Sequence, residues 1–438
     1  MGNHAPDSEE NGVSQPSLLE TILDKDNLER AWKRVRGNKG APGMDGMTVS
    51  EFPAFARAQL PRIMEWIREG RYKPAPVKRV WIPKPDGTKR PLGVPTVLDR
   101  VIQQAIAQVL GPLFDVDFSE SSFGFRYGRR AQAAAERICA AATQDYRWGV
   151  DCDLKSYFDT VNHDRLMCQL SQRVNDKRVL RLIGKYLRAG VRHADGSTEL
   201  TERGVPQGGP LSPLLANIML DPLDKTIESM GLPFARYADD FLIVTKTKAE
   251  ALAAMAEIEV YVEGRLKLLV NRDKSKVAPL GECDFLGFNI RGKQVRRTEK
   301  AAKRFKLRIQ EITSRSRGIS MGQRLMELKR YCVGWFHYFK MGLPYGEVLQ
   351  WDQWIRRRVR LCYWKDWKVP RQRRRMLIRL GVSPEEVKKA SRSRKGYWRM
   401  SRNSLVNQAL NNDYLRQQGV PSMRDLWVRF KYGEQARI

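Results

Sequence analysis

Cysteine and histidine are scarce and scattered. The six cysteines (Cys139, Cys152, Cys168, Cys283, Cys332 and Cys362) stand far apart and never as Cys-x-x-Cys. The four histidines (His4, His163, His193 and His337) form no cluster with ligand spacing. A zinc site or a dithiol redox motif is therefore not expected, and reduced thiols point to an intracellular, cytoplasmic protein. Long apolar runs are missing too: none approaches the ~20 residues of a membrane-spanning helix, so no membrane partner is expected. The stretch from Met1 to Ser17 is polar and acidic with no apolar centre for a signal peptide, and reads as a disordered leader. It begins Met-Gly, but Pro6 stands where a myristoylation signal wants Ser or Thr. No internal repeat or long low-complexity segment occurs.

Negative charge is short in one region only. The 438 residues carry a formal charge of +30. Residues 291–438 hold 38 Lys and Arg against 11 Asp and Glu, whereas the first 290 hold 41 against 38. A nearly neutral body is thus followed by an arginine-rich third, the electrostatic footprint of a polyanion clamp rather than of a uniformly solvated surface. Nucleoid association fits the same charge.

Periodicity divides the chain the same way. Residues 18–36 and 51–69 repeat with helical spacing, the first ending at Gly37. Prolines 74, 76, 83 and 85 and the turn Pro85-Asp86-Gly87-Thr88 predict a hairpin over 77–92, with helices at about 97–110 and 129–143. Residues 147–155 alternate: Trp148, Val150, Cys152 and Leu154 face one way, Asp151 and Asp153 the other, as on a strand with one buried face. A second hairpin runs from Phe234 to Thr245 around Ala238-Asp239-Asp240, and a third spans roughly 283–296. From 299 onward the pattern is helical, with Phe305, Ile309 and Ile312 on one stripe and Leu325, Leu328, Cys332, Trp335 and Phe339 on another. The fold class expected is α+β for residues 18–296, followed by an all-α basic domain over 297–438.

Asp153 on a strand and Asp239-Asp240 at a hairpin tip supply what two-metal phosphoryl transfer needs: a few acidic oxygens holding two Mg²⁺ ions, which keep water and substrate phosphates as their other ligands. An Asp-Asp pair alone is equally an ordinary turn, and Asp151-x-Asp153 alone says as little. Their company is more specific. Tyr237-Ala238-Asp239-Asp240 resembles the Tyr-x-Asp-Asp box of reverse transcriptases, and Asp153-Leu-Lys-Ser-Tyr-Phe158 resembles that family's first catalytic motif. Gly204-Val-Pro-Gln207-Gly-Gly-Pro resembles its Pro-Gln-Gly element. Ile82-Pro-Lys84-Pro-Asp-Gly with Arg90-Pro-Leu-Gly93 is similar to the fingers hairpin, Asn271-Arg-Asp-Lys274-Ser275 to the next motif, and Phe285-Leu-Gly-Phe288 to the primer-gripping hairpin.

Asn38-Lys-Gly-Ala-Pro-Gly-Met-Asp-Gly46, Gly70-Arg-Tyr-Lys-Pro74, Ser122-Phe-Gly-Phe-Arg126 and Tyr331-Cys-Val-Gly-Trp335-Phe-His-Tyr338-Phe339 narrow the resemblance to group II intron-encoded reverse transcriptases. The resemblance covers residues 18–438. It implies a right-hand polymerase with fingers and palm, Asp153, Asp239 and Asp240 as metal-binding catalytic residues, and nucleotide contacts from Lys84, Arg90, Gln207 and Lys274. Phe158 would exclude a 2′-hydroxyl. An RNA template with a DNA primer, dNTPs and two Mg²⁺ ions are the implied substrates and cofactors. The helical thumb and maturase domain would bind the parent group II intron RNA and aid its splicing.

Arg356, Arg357, Arg358, Arg373, Arg374, Arg375, Arg394 and Lys395, interleaved with Trp351, Trp354, Trp364, Trp367 and Trp398, are the candidate RNA contacts. Trp351 and Trp354, three residues apart, suit a buried helix face; for Trp364 and Trp367 both readings stand. Many members of the family end in a zinc-dependent HNH-type endonuclease. No paired Cys-x-x-Cys for one occurs here, so no intrinsic DNA nicking is expected, and a mobile element would take its primer elsewhere, for instance at a replication fork. Three rival readings remain: a splicing-only maturase, a bacterial defence or diversity-generating reverse transcriptase, and an RNA-binding protein with accidental motifs.

Overall fold

The computed structural model describes residues 17–83 and 87–433; the leader therefore falls almost wholly outside the described residues. The chain forms two compact units, Met1–Pro279 and Leu280–Ile438.

In the first unit the N-terminal helical pattern is two helices, Leu18–Leu23 and Lys25–Gly37. The break is Asp24, whose carboxylate accepts from the backbone N–H groups of Asp26 (2.9 Å) and Asn27 (3.2 Å) and so starts the second helix. That helix packs on Val97–Asp115, capped by Thr96, around Leu28, Ala31, Val101, Ala105 and Ile106. Strands β1 (Val77–Pro83) and β2 (Lys89–Val94) form the expected first hairpin, with Trp81 opposite Pro91.

β3 is Trp148–Asp153, and two-residue strands β4 (Val191–Arg192) and β5 (Thr198–Glu199) extend the first sheet to the order β2-β1-β4-β5, with β4 parallel to β1. β6 (Phe234–Tyr237), β7 (Asp240–Thr245) and β8 (Lys276–Pro279) join β3 in a second, antiparallel sheet ordered β6-β7-β3-β8. One face carries buried Val150, Cys152, Phe234, Phe241 and Ile243, and the other buried Ala235, Leu242 and Val244. Helices Ala131–Ala142 and Lys248–Tyr261 pack against the sheet.

The second unit opens with the third expected hairpin, β9 (Phe288–Arg291) and β10 (Gln294–Arg297). The division between units thus falls ahead of the hairpin that the sequence pattern placed at the end of the first domain. The hairpin's Phe288 stacks on Tyr338 (centroids 5.7 Å apart) and tilts against Phe339 (5.2 Å), inside the second unit. Helices follow, chief among them Glu299–Ile312, Met321–Phe339 and Tyr345–Asp366. They bury the stripe Phe305, Ile309 and Ile312 together with Leu325, Leu328 and Cys332. Trp351, Trp364 and Trp367 are buried as well, and Trp354 is half-buried. The mixed helix-and-sheet body and the all-helical region that follows β10 match the fold class expected of the chain.

Candidate active site

The second sheet brings the three aspartates to one end. Asp153 closes β3 and Asp240 opens β7, and the antiparallel register sets them directly opposite. Residues so paired project from the same face of a sheet. Asp239 lies in the two-residue turn Ala238-Asp239 that joins β6 to β7, with Tyr237 opposite Asp240.

That turn is held from beneath. Ala238 has φ of 61°, the left-handed region that glycine favours at the first central position of such hairpins. Gly124 presses its backbone against the turn; a Cβ there would lie 2.3 Å from the Ala238 nitrogen. Arg236, fully buried, clamps the turn from inside. Its Nη1 donates to the Ala238 carbonyl (2.9 Å) and to Asn217 Oδ1 (3.0 Å), and its Nη2 to Ser122 Oγ (2.8 Å). Two further bonds, 2.6 and 2.5 Å, go to the carboxylate of Asp224, which is equally buried. Asn217 Nδ2 in turn donates to the Gly124 carbonyl (2.8 Å). The motif reading missed these groups. The signal for one was present, a charged residue inside an apolar strand.

Asp153 is fixed from the loop after helix Lys248–Tyr261. Asn271 Nδ2 donates to its Oδ2 (2.8 Å), the Asn271 N–H to its carbonyl (2.8 Å), and Ser275 Oγ accepts from its N–H (3.0 Å). Lys274, largely exposed, brings Nζ to 3.7 Å from the same Oδ2. The stretch Asn271–Ser275 therefore closes on the first aspartate.

A cleft of about 380 Å³, which none of the three aspartates lines, is walled by Phe158, Pro206 and Gln207, and by Arg79 and Asp159. Arg90 Nε donates to Gln207 Oε1 (2.7 Å), tying the first hairpin to the Gly-rich loop. The loop lies tight on β2. Gly208 has φ of 123°, and a Cβ there would meet the Gly93 carbonyl at 2.6 Å. Phe158 is mostly buried, and its ring meets Tyr157 edge-on at 5.2 Å. Burial pushes the Asp159 carboxyl up, and Arg79 and Arg90 oppose that. The Nε of Arg79 is buried with no hydrogen-bond partner among the described residues. Lys84 lies outside the described residues.

The donor set suits a hard divalent cation. Burial raises the pKa of Asp239, and the Asp153 charge adds to the rise, against its own backbone N–H, Arg90 and Arg236. A cation between the two carboxylates would relieve both the burial and the repulsion. Among the described residues no three or more His, Cys, Asp and Glu form a metal cage, and Mg²⁺, which keeps waters and phosphates, does not require one.

In the second unit the candidate RNA contacts divide. Arg356 pairs with the buried Asp352, Arg357 lies 3.5 Å above the Trp398 ring, and Arg358 donates to Thr313 Oγ1 (2.8 Å). Arg373 donates to the Trp367 carbonyl (2.9 Å). Arg374, Arg375, Arg394 and Lys395 are exposed. Phe285 and Phe288 are buried, with Tyr338 donating to the Leu286 carbonyl (3.1 Å) between them. No helix among the described residues is long and apolar enough to cross a membrane.

The family model of reverse transcriptases (RNA-dependent DNA polymerases) matches residues 82–290, and that of the group II intron maturase-specific domain matches residues 302–380. Over 321 residues the chain is 34% identical to Protein YkfC of Escherichia coli (strain K12), covering 64% of this chain and 84% of that one. It is 33% identical over 261 residues to Group II intron-encoded protein LtrA of Lactococcus lactis subsp. cremoris, covering 59% of this chain and 42% of the relative, less than half of its length. Among solved structures, a chain of the partial Cas6-RT-Cas1–Cas2 complex aligns with a TM-score of 0.38 and 25% identity, over 57% of this chain and 43% of that one.

Proposed function

The chain belongs to the group II intron-type reverse transcriptase/maturase family, and from that premise we propose that it is an RNA-directed DNA polymerase that also binds a group II intron RNA and assists its splicing and mobility. The family's fold class, right-hand polymerase followed by an all-helical basic region, is that of this chain. The observation that carries the proposal is the convergence of Asp153, Asp239 and Asp240 at one end of the β3–β7 sheet.

Asp153 and Asp239 are the metal-holding pair, and Asp240 supports them or orients the primer end. Two Mg²⁺ ions held there supply activation of the primer 3′-hydroxyl and neutralisation of the nucleotide phosphates. Asn271 and Ser275 fix Asp153, while Arg236 and Gly124 fix the turn that carries Asp239. Arg90, Lys84 and Lys274 grip the triphosphate, Arg by its fork and Lys as a point charge. Arg79 adds positive charge to the wall of the nucleotide cleft. Gln207, oriented by Arg90, lines the same cleft, and Phe158 is the residue that excludes a 2′-hydroxyl. Residues 18–296 act as fingers and palm. Residues 297–438 act as thumb and maturase domain, with Arg374, Arg375, Arg394 and Lys395 the contacts free to reach RNA phosphates. The cytoplasm is the setting of this reading.

Primer extension on an RNA template with dNTPs and Mg²⁺ tests it, using the native chain and Asp239→Ala/Asp240→Ala. Extension that disappears in the variant is the expected result. A native chain that folds and binds RNA but extends nothing would shift the function to splicing assistance alone.

A further inference from the structure

The motif Tyr331–Phe339 has a role beyond packing. On helix Met321–Phe339, residues 331, 334 and 335 share a face, spaced i, i+3 and i+4. The Tyr331 ring stacks on buried Phe305 (centroids 5.8 Å apart, 18° between planes), and Trp335 lies against Phe305 (4.3 Å) and Trp351 (5.2 Å). Both rings are therefore backed by core on one side, yet both stay half-buried rather than closed over.

Between them stands Gly334, exposed in mid-helix, where glycine weakens a helix relative to alanine. No crowding explains it: a Cβ there would meet nothing within 4 Å. The open face is one wall of a groove of about 550 Å³, within the ~300–1,000 Å³ of ordinary ligand clefts.

Arginines rim the groove on several sides. Arg308 comes from helix Glu299–Ile312 and Arg317 from the turn that follows it; Arg330 stands on the helix of the two rings. Arg308 bonds Glu311 at 2.7 Å, and Arg317 bonds Glu327 at 2.8 Å. Arg330 is exposed and makes no ion pair among the described residues. Aromatic rings backed by core, an unfilled notch and a cationic rim suit one flat, neutral ring with phosphates on either side. A duplex hides its base faces in the stack, so recessed rings cannot reach them; a base from a single strand offers its face freely.

We propose that this groove takes one unstacked nucleobase of a single-stranded RNA segment, laid against Tyr331 and Trp335, with its flanking phosphates on Arg308, Arg317 and Arg330. The proposal rests on the RNA-binding reading above and adds to it where a single-stranded region docks.

Gly334→Leu fills the notch without changing charge, and leucine is the better helix former. Binding of the full chain to an oligo(A) RNA and to a blunt RNA duplex of equal charge is measured for both proteins. The variant is expected to lower the ratio of single-strand to duplex affinity about tenfold, the scale of one base–aromatic stack. A ratio that does not change overturns the pocket while leaving RNA binding intact. Native protein that binds neither RNA overturns the RNA-binding reading, and the pocket with it. A second measurement needs no variant: 2-aminopurine is scanned along the single strand bound to the native chain. Quenching of the probe at one position is expected, and unchanged emission at every position contradicts the proposal.

Discussion

Replacing Arg236 with methionine separates two effects that usually travel together. Arg236 and Asp224 are both fully buried, and the arginine makes five hydrogen bonds to Asp224, Asn217, Ser122 and the Ala238 carbonyl. Removing it leaves a carboxylate buried without its cation, which costs about 3–5 kcal/mol. For a body of this size each kcal/mol moves the melting point by roughly 2–4 °C, so the first unit should melt about 6–20 °C lower. Arg236→Met/Asp224→Leu removes both charges, and because apolar replacements of a buried pair are often neutral, most of that loss should return. Activity should not return with it, since the Ala238 carbonyl still lacks its donor and a turn displaced by about 1 Å can cost about 10²-fold in rate. Thermal unfolding and single-turnover nucleotide addition, measured on both variants, read the two effects apart. A double variant that extends primers like the native chain would refute the idea that Arg236 positions the turn. An Arg236→Met protein that melts at the native temperature would instead refute the stability cost assigned to the stranded Asp224 carboxylate.

Four further outcomes follow. Gly124→Ala drives a Cβ into the Ala238 nitrogen, 2.3 Å away, and should cut kcat while RNA affinity stays near native; an unchanged kcat would mean the turn relaxes freely. Phe158→Ala should raise the ribonucleotide-to-deoxynucleotide ratio of kcat/KM about 10- to 100-fold; if competition assays find no change, Phe158 is only a core ring. Arg374→Gln and Arg375→Gln should each flatten the slope of log affinity against log salt by about 0.7–0.9. Arg356→Met, which strands the buried Asp352, should lower the melting point and leave that slope unchanged.

Much of the site was legible because its chemistry is local in sequence. The alternation around Asp153, the apolar strands flanking Asp239-Asp240, and the Pro and Gly around the first hairpin each name an element within a dozen residues. What escaped is long-range. Ser122, Asn217, Asp224 and Arg236 meet in space but span more than a hundred residues, and each polar type has many ordinary settings. Only Arg236 carried a visible anomaly, sharing a strand face with Phe234. The parallel pairing of β1 with β4 was invisible for the same reason: two residues, Val191 and Arg192, give no periodicity to read. The arginine run shows a different limit. Three consecutive residues on a helix point in three directions, and Arg356, Arg357 and Arg358, each half-buried, reach Asp352, Trp398 and Thr313. The break at Asp24 was readable in principle as an N-cap, but the continuous apolar spacing on either side masked it.

The central claim is that the aspartates at the end of the β3–β7 sheet form a polymerase centre, and Asp153→Asn tests it most directly. Asparagine keeps the size of the side chain and removes its charge. Single-turnover dNTP addition to a saturating RNA template–primer is measured with Mg²⁺, alongside affinity for the same RNA. Addition should fall about 10³-fold or more, equivalent to about 4 kcal/mol of lost transition-state stabilisation, while affinity stays within a few-fold of native. Addition at the native rate by Asp153→Asn would contradict the account.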